Sequence, residues 1–199
     1  MRRAALLLLS SLQSKLYGFK AFGAGSVIKP FPVRIDGTKY IAVGKDCFFG
    51  SGLTLVAVDE HCGKRHNPVC TIGDRCAFGA DFVLSCSKGI TIGNNVLASA
   101  RVFVADSYHG YSDPNRAILD QPMAGEGAIC IGDGCFLGLG SVVLPGVTLG
   151  RNCVIGANAV VTRSFPDYSV IAGNPARLIK RFDPATSAWI SNEPNVKLA

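Results

Sequence analysis

The sequence predicts an all-β solenoid: a parallel β-helix wound from six-residue rungs, with a short helix at its start and one protruding loop. Three observations predict it. Apolar residues recur with a period of six, a second and mainly small series repeats at the same period, and glycine is abundant (23 of 199 residues) while tryptophan occurs once. The two series describe one large and one small side chain pointing inward per rung, and the glycines suit tight turns around a narrow interior. A composition of 48% hydrophobic and 17% charged residues excludes disorder, and the length fits one domain with a real core.

The chain opens with Met1-Arg2-Arg3 and the apolar run Ala4 to Leu9. This resembles the start of a signal peptide, but the run is short and no small-x-small cleavage site follows it before Lys15. It is also too short to span a bilayer. From Arg2 to Phe22 the pattern reads as an amphipathic helix carrying Arg2, Arg3, Lys15 and Lys20. Residues 1–25 are therefore expected to cap the open end of the β-helix, with weak membrane-surface association as the alternative.

The β-helix itself is expected over residues 26–182, followed by a tail at 183–199. From Ile131, steps of six give Leu137, Val143, Leu149, Ile155 and Val161. Other runs give Ile72, Phe78, Leu84 and Ile90, then Ile92, Ala98 and Val104, and earlier Val43, Phe49 and Leu55. All sixteen positions are apolar. Four residues after the starts, the last one before each interruption or shift aside, lie Cys47, Cys76, Phe82, Val96, Val102, Cys135, Ser141, Val147, Cys153, Ala159 and Phe165, and Lys88 breaks this inward set. Period six is neither helical nor simple strand alternation; it fits a short strand followed by a tight turn, three of which close one coil. The pattern is interrupted at 56–71 and 105–130, and such excursions usually carry a solenoid's function.

Half of the eight cysteines fall in the small inward series, which reads as packing by free thiols in a reducing cytoplasm rather than a disulfide framework. The net charge of +6 comes without a basic stripe interleaved with aromatics, so no nucleic-acid partner is expected, while an anionic small ligand or lipid fits. His61, Cys62, His66 and Cys70 are metal-ligating types, but their spacing matches no standard finger, and no metal is expected.

The stretch Ile131 to Lys180 carries Ile-Gly-Asp-Gly-Cys-Phe-Leu-Gly, then Leu144-Pro145-Gly146-Val147-Thr148-Leu149-Gly150, Ile155-Gly156-Ala157-Asn158, Val160-Val161-Thr162-Arg163 and Ala172-Gly173-Asn174-Pro175-Ala176-Arg177. As a set, over roughly residues 40–182, it resembles the hexapeptide-repeat acetyltransferases, in the branch with maltose, galactoside and O-antigen or capsule sugar O-acetyltransferases. The resemblance implies a left-handed parallel β-helix, a homotrimer with active sites between neighbouring prisms, and acetyl-CoA as co-substrate. The family usually has tryptophan where Phe136 stands, so packing near the thioester arm is expected to differ.

In that family a histidine just before the long loop acts as general base, and His109 matches it. The chemistry requires such a group, because a sugar hydroxyl is a poor nucleophile at neutral pH and an imidazole can take its proton during attack on the thioester. Asp106 is a candidate to fix the imidazole tautomer and equally a surface carboxylate. Tyr108, Tyr111 and Asp113 are candidates to stack on and hydrogen-bond to a sugar, and the resemblance adds Asp81 and Ser87 from the neighbouring coil. It also places the pantetheine arm along Gly138, Leu139 and Ala157, and the nucleotide phosphates near Thr162, Arg163, Arg177 and Lys180. Five basic against two acidic residues between 130 and 182 suit a polyanionic ligand.

The leading expectation is acetyl-CoA-dependent O-acetylation of a saccharide in surface polysaccharide or glycolipid synthesis, in the cytoplasm or at the inner membrane face. N-acetylation of an amino sugar or sugar nucleotide is the nearest alternative. Serine acetyltransferases carry a large helical N-terminal domain that is missing here. A carbonic anhydrase-like β-helix needs three histidines on a metal, and His61, His66 and His109 have the wrong order and spacing for it. A non-catalytic scaffold leaves His109 and its loop without a purpose.

Overall fold

The computed structural model describes residues 3–192. The chain coils through three parallel sheets in strict rotation. The first face is built from Ala21–Phe22, Ile41–Val43, Val69–Ile72, Gly89–Ile92, Ile129–Ile131 and Thr148–Leu149. The second holds Val27–Ile28, Phe48–Phe49, Ala77–Phe78, Leu97–Ala98, Phe136–Leu137, Val154–Ile155 and Ser169–Ala172, and the third Arg34–Asp36, Thr54–Ala57, Val83–Cys86, Phe103–Ala105, Val142–Val143 and Val160–Val161.

The period-six residues set the register. Val43, Ile72, Ile92, Ile131 and Leu149 stack on the first face. Phe49, Phe78, Ala98, Leu137 and Ile155 stack on the second, and Leu55, Leu84, Val104, Val143 and Val161 on the third. With Ile90 these are the sixteen repeat positions, and none is more than 3% exposed. Phe49 and Phe78 lie nearly parallel with ring centroids 4.8 Å apart, so identical side chains reinforce the ladder.

The small series fills the corners. The Cys47, Cys76 and Cys135 thiols donate to the carbonyls of Gly73, Gly93 and Gly150, each at 3.1 Å, and Cys153 to Pro166 at 3.2 Å. All four thiols are buried against these carbonyls and serve as packing, and the neighbouring thiol and burial push Cys76 and Cys135 above the ordinary thiol range. The eight cysteines are all free. At the corner between the first and second faces a side-chain ladder locks coil to coil. Asp74 Oδ1 accepts from Lys45 N–H at 2.8 Å, Asn94 Oδ1 from Asp74 N–H at 2.8 Å, and Asp133 Oδ1 from Asn94 N–H at 2.7 Å.

Both ends of the coil are covered. Helix α1 (Arg3–Tyr17) lies on Val27–Ile28. It is shorter than the Arg2–Phe22 span expected from the pattern, because Gly18 takes a left-handed φ of 65° and closes the last turn onto Ser14 and Lys15 carbonyls. Ala21–Phe22 is already the first strand, paired with Ala42–Val43. At the far end Arg177–Asp183 turns back antiparallel on Ser169–Ala172, and Ala188–Ser191 follows it. The tail expected from 183 is thus a hairpin as far as Ser191, and residues 193–199 lie outside the described ones. No helix among the described residues is long and apolar enough to cross a membrane.

Candidate active site

The two interruptions leave the coil at the same corner, between the third and first faces. Residues 58–68 carry a small hairpin, Glu60–His61 with Lys64–Arg65. Residues 106–128 carry another, in which Tyr108–His109 pairs with Met123–Ala124. The loops grip each other across the tight corner at Ser87-Lys88. His61 and His109 stand edge to face, centroids 5.1 Å apart and planes at 64°. Lys64 Nζ lies 2.8 Å and His66 Nδ1 3.1 Å from Glu126 Oε1, and Lys88 Nζ donates to the Glu126 carbonyl at 3.4 Å. The Lys64 ammonium holds the Glu126 carboxyl below the ordinary range.

Asp106 anchors the long loop. Fully buried, its carboxylate accepts from the Ser87 N–H at 2.7 Å, the Ser87 hydroxyl at 3.1 Å, the Lys88 N–H at 2.9 Å and the Gly89 N–H at 2.7 Å. It therefore braces the corner beneath the loop and does not orient the His109 ring. The same bonds occupy Ser87, which is 2% exposed and turned inward rather than towards a sugar. Buried Gln121 ties the loop's middle: its Nε2 donates to the Asp113 and Arg116 carbonyls, both at 2.9 Å, and its Oε1 accepts from the Asp113 N–H at 3.1 Å. The Asp113 side chain caps the Asn115 N–H at 2.9 Å.

His109 is exposed on this scaffold. Tyr108 and Tyr111, both exposed, stack at 5.9 Å and form an aromatic shelf beside it. Gly125 is required there: a Cβ would meet the Tyr108 ring at 1.9 Å, and its φ is +60°. His109, Tyr108, Tyr111 and Asp113 thus share one loop, and His61 meets His109 from the other.

The other predicted residues lie elsewhere. Gly138, Leu139, Ala157 and Asp81 sit at the corner between the second and third faces, away from the loops. Gly138 has no room for a side chain, since a Cβ would lie 2.6 Å from the Ile155 carbonyl oxygen, while Leu139 and Ala157 are exposed. Asp81, with φ 57°, packs its carboxylate under Gly52. Thr162 and Arg163 follow the third face and are exposed, with Arg163 over the Phe165 ring at 5.3 Å. Arg177 and Lys180 lie on the returning strand, Lys180 over Trp189 at 5.4 Å. None of these three cations forms an ion pair among the described residues, so their charge is available to an anion.

The sequence reading missed Gln121, Glu126 and the part played by His61. His61 and His66 drew notice only as metal-ligating types, with Cys62 and Cys70 or with His109. Cys70 points into the core, and the Cys62 thiol donates to the Leu119 carbonyl at 3.4 Å. No group of three or more histidine, cysteine or acidic side chains among the described residues is placed to hold a metal.

The family model for the hexapeptide repeat of succinyl-transferase matches residues 69–104 and 128–163, the coils on either side of the long loop. A protein of Escherichia coli (strain K12) named as a lipopolysaccharide biosynthesis O-acetyl transferase, WbbJ, is 37% identical over 166 residues, covering 80% of each chain. Several other curated relatives are spanned over only 40% to 59% of their own length. Among solved structures, AntD, an N-acyltransferase from Bacillus cereus in complex with dTDP and 3-hydroxybutyryl-CoA, superposes with a TM-score of 0.66 at 20% identity, over 89% of this chain and 90% of that one. A hexapeptide-repeat acetyltransferase from Vibrio cholerae, complexed with acetyl coenzyme A, gives 0.53 at 24% identity over 87% and 75%. The structural likenesses establish the same three-sided fold. Identity to the E. coli relative over four fifths of both chains establishes more: this protein belongs to the hexapeptide-repeat acetyltransferases.

Proposed function

We propose that the protein is an O-acetyltransferase that moves acetyl from acetyl-CoA to a saccharide hydroxyl during assembly of a surface polysaccharide or glycolipid. In this reading the coil is left-handed, the enzyme is a cytoplasmic homotrimer, and His109 is the general base. One observation carries it. Exposed His109 stands at one corner of the prism, whereas the groove residues Gly138, Leu139 and Ala157 stand at another. A single chain cannot close both around one acetyl group, but a neighbouring prism can bring its groove to this chain's loop. Apolar side chains on the outer surface of the second face, Phe48, Leu97 and Phe136, suit burial between prisms, while the first face presents Thr71, Thr91 and Thr148 beside Val69.

His109 takes the acceptor's hydroxyl proton as that oxygen bonds to the acetyl carbon, and returns it to the departing sulfur as the carbon–sulfur bond breaks. Tyr108 and Tyr111 offer faces on which a pyranose ring can stack. Acetyl-CoA supplies the activated acetyl group. The unpaired Arg163, Arg177 and Lys180 suit its phosphates, and the bare backbone at Gly138 suits close approach of its arm.

The test is thiol release from acetyl-CoA against panels of sugars, sugar nucleotides and short glycans. A hydroxyl acceptor is expected to be acetylated, and His109→Ala to slow turnover roughly 100-fold or more. Unchanged turnover by that variant would remove the base from the mechanism, and modification confined to amino sugars would replace O- by N-acetylation.

A further inference from the structure

Helix α1 turns a serine onto the coil and a row of leucines away from it. The residue it turns onto the coil is Ser10, fully buried, whose hydroxyl donates to the Ile28 carbonyl at 3.2 Å and accepts the Ile28 N–H at 3.0 Å. These two bonds satisfy the outward backbone groups of Ile28 at the open edge of the second face. Three of its leucines lie on the opposite side, while Leu7 and Leu9 are half-buried. Leu8, Leu12 and Leu16 are 67%, 60% and 84% exposed. At 3.6 residues per turn they fall within an arc of about 80°, with Ser10 on the far side of the helix. A helix that served only as a lid would have no use for a row of leucines on its solvent side. The corner that follows Ile28 adds to the same end of the prism, with Phe31 90% and Val33 75% exposed.

Up to residue 35 the chain carries charge of one sign, with Asp36 and Asp46, the latter against Gly25, the acidic residues beside it. Arg2, Arg3, Lys15, Lys20, Lys29 and Arg34 all precede Asp36, the first acidic residue of the chain. Among these, Arg34 is paired with Asp36 at 3.1 Å, while Lys15, Lys20 and Lys29 are exposed.

We infer that this end of the prism docks on an anionic bilayer surface, with Leu8, Leu12, Leu16 and Phe31 entering the interface and the lysines facing lipid phosphates. Exposed leucines flanked by lysines, on a helix of 15 residues that cannot span a membrane, match a segment lying in the interfacial plane. A second copy fits the face less well, because face-to-face docking would set this cation-rich, anion-free segment against itself. The inference is independent of the acceptor and of the role of His109.

Flotation of the full-length protein with vesicles tests it. The protein should float with vesicles rich in phosphatidylglycerol, remain behind with phosphatidylcholine alone, and be partly released by high salt. Leu12→Ser combined with Leu16→Ser changes two solvent-facing residues and should lower vesicle partitioning roughly 100-fold, leaving acetyl transfer to a soluble acceptor and the assembly's mass unchanged. Three results would overturn it: no flotation of the unmodified protein with anionic vesicles, equal flotation of the variant, or a fall in the variant's mass by light scattering. The last would place the leucines between protein chains.

Discussion

The His61 and His109 rings meet edge to face at 5.1 Å, although their loops leave the prism two coils apart. His61 is thus a wall against which the proposed base is held. Edge-to-face pairs contribute about 0.5–1.5 kcal/mol. Replacing His61 by Ala should therefore slow turnover by roughly threefold to tenfold, chiefly in kcat, with His61→Phe restoring most of it. Steady-state kinetics on the three proteins check this, and a loss confined to KM would argue for acceptor contact instead.

Asp106 should matter more for folding than for proton transfer. Its fully buried carboxylate satisfies three backbone N–H groups and a hydroxyl. Asp106→Ala leaves those donors unpaired and is expected to cost about 3–5 kcal/mol in denaturant unfolding, with Asp106→Asn costing less.

The clasp formed by Lys64, His66, Lys88 and Glu126 should open in acid. Because Glu126 is held below its ordinary value of 4.5, its contribution is present above that pH and is lost as the pH falls through the lower, folded value. Relative to intrinsic exchange at each pH, amide protection in residues 106–128 should fall in that window, and this pH-dependent loss of protection should be absent in Glu126→Gln.

Two protomers should complete one site. His109→Ala and Ala157→Phe are each expected to inactivate the pure enzyme, whereas mixed assemblies should regain roughly a quarter of wild-type activity, because some interfaces then pair an intact loop with an intact groove. Absence of recovery after verified subunit exchange would place the whole site in one chain.

The outer apolar stripe makes a related prediction. Leu97 is 49% exposed on the second face. Leu97→Glu should leave the coil folded, because its side chain points away from the core, yet reduce the assembly to single chains in light scattering.

Why some of this was legible in sequence and some was not follows from the range of the interactions. Val43, Ile72 and Ile92 announce themselves because each coil repeats the previous one's demand for a large inward side chain. Residues 183–191 read as a tail because no repeat governs an antiparallel hairpin. The helix overran because Gly18 is an isolated stop signal within an apolar run. His109 was found through its motif, but its contact with His61 depends on two loops of unequal length meeting in space, which no spacing encodes. Asp106 was ambiguous for the same reason: its partners are some twenty residues away, at Ser87 to Gly89.

The ladder of Asp74, Asn94 and Asp133 has a consequence for how such a chain can diversify. Each rung of that corner is bonded to the one beside it, so an added residue there would break bonds on both sides. The corner that releases residues 58–68 and 106–128 has already accepted length twice without disturbing the coil register. New specificity can therefore be acquired at that edge by insertion, while the bonded edge serves as the invariant spine against which such changes are tolerated.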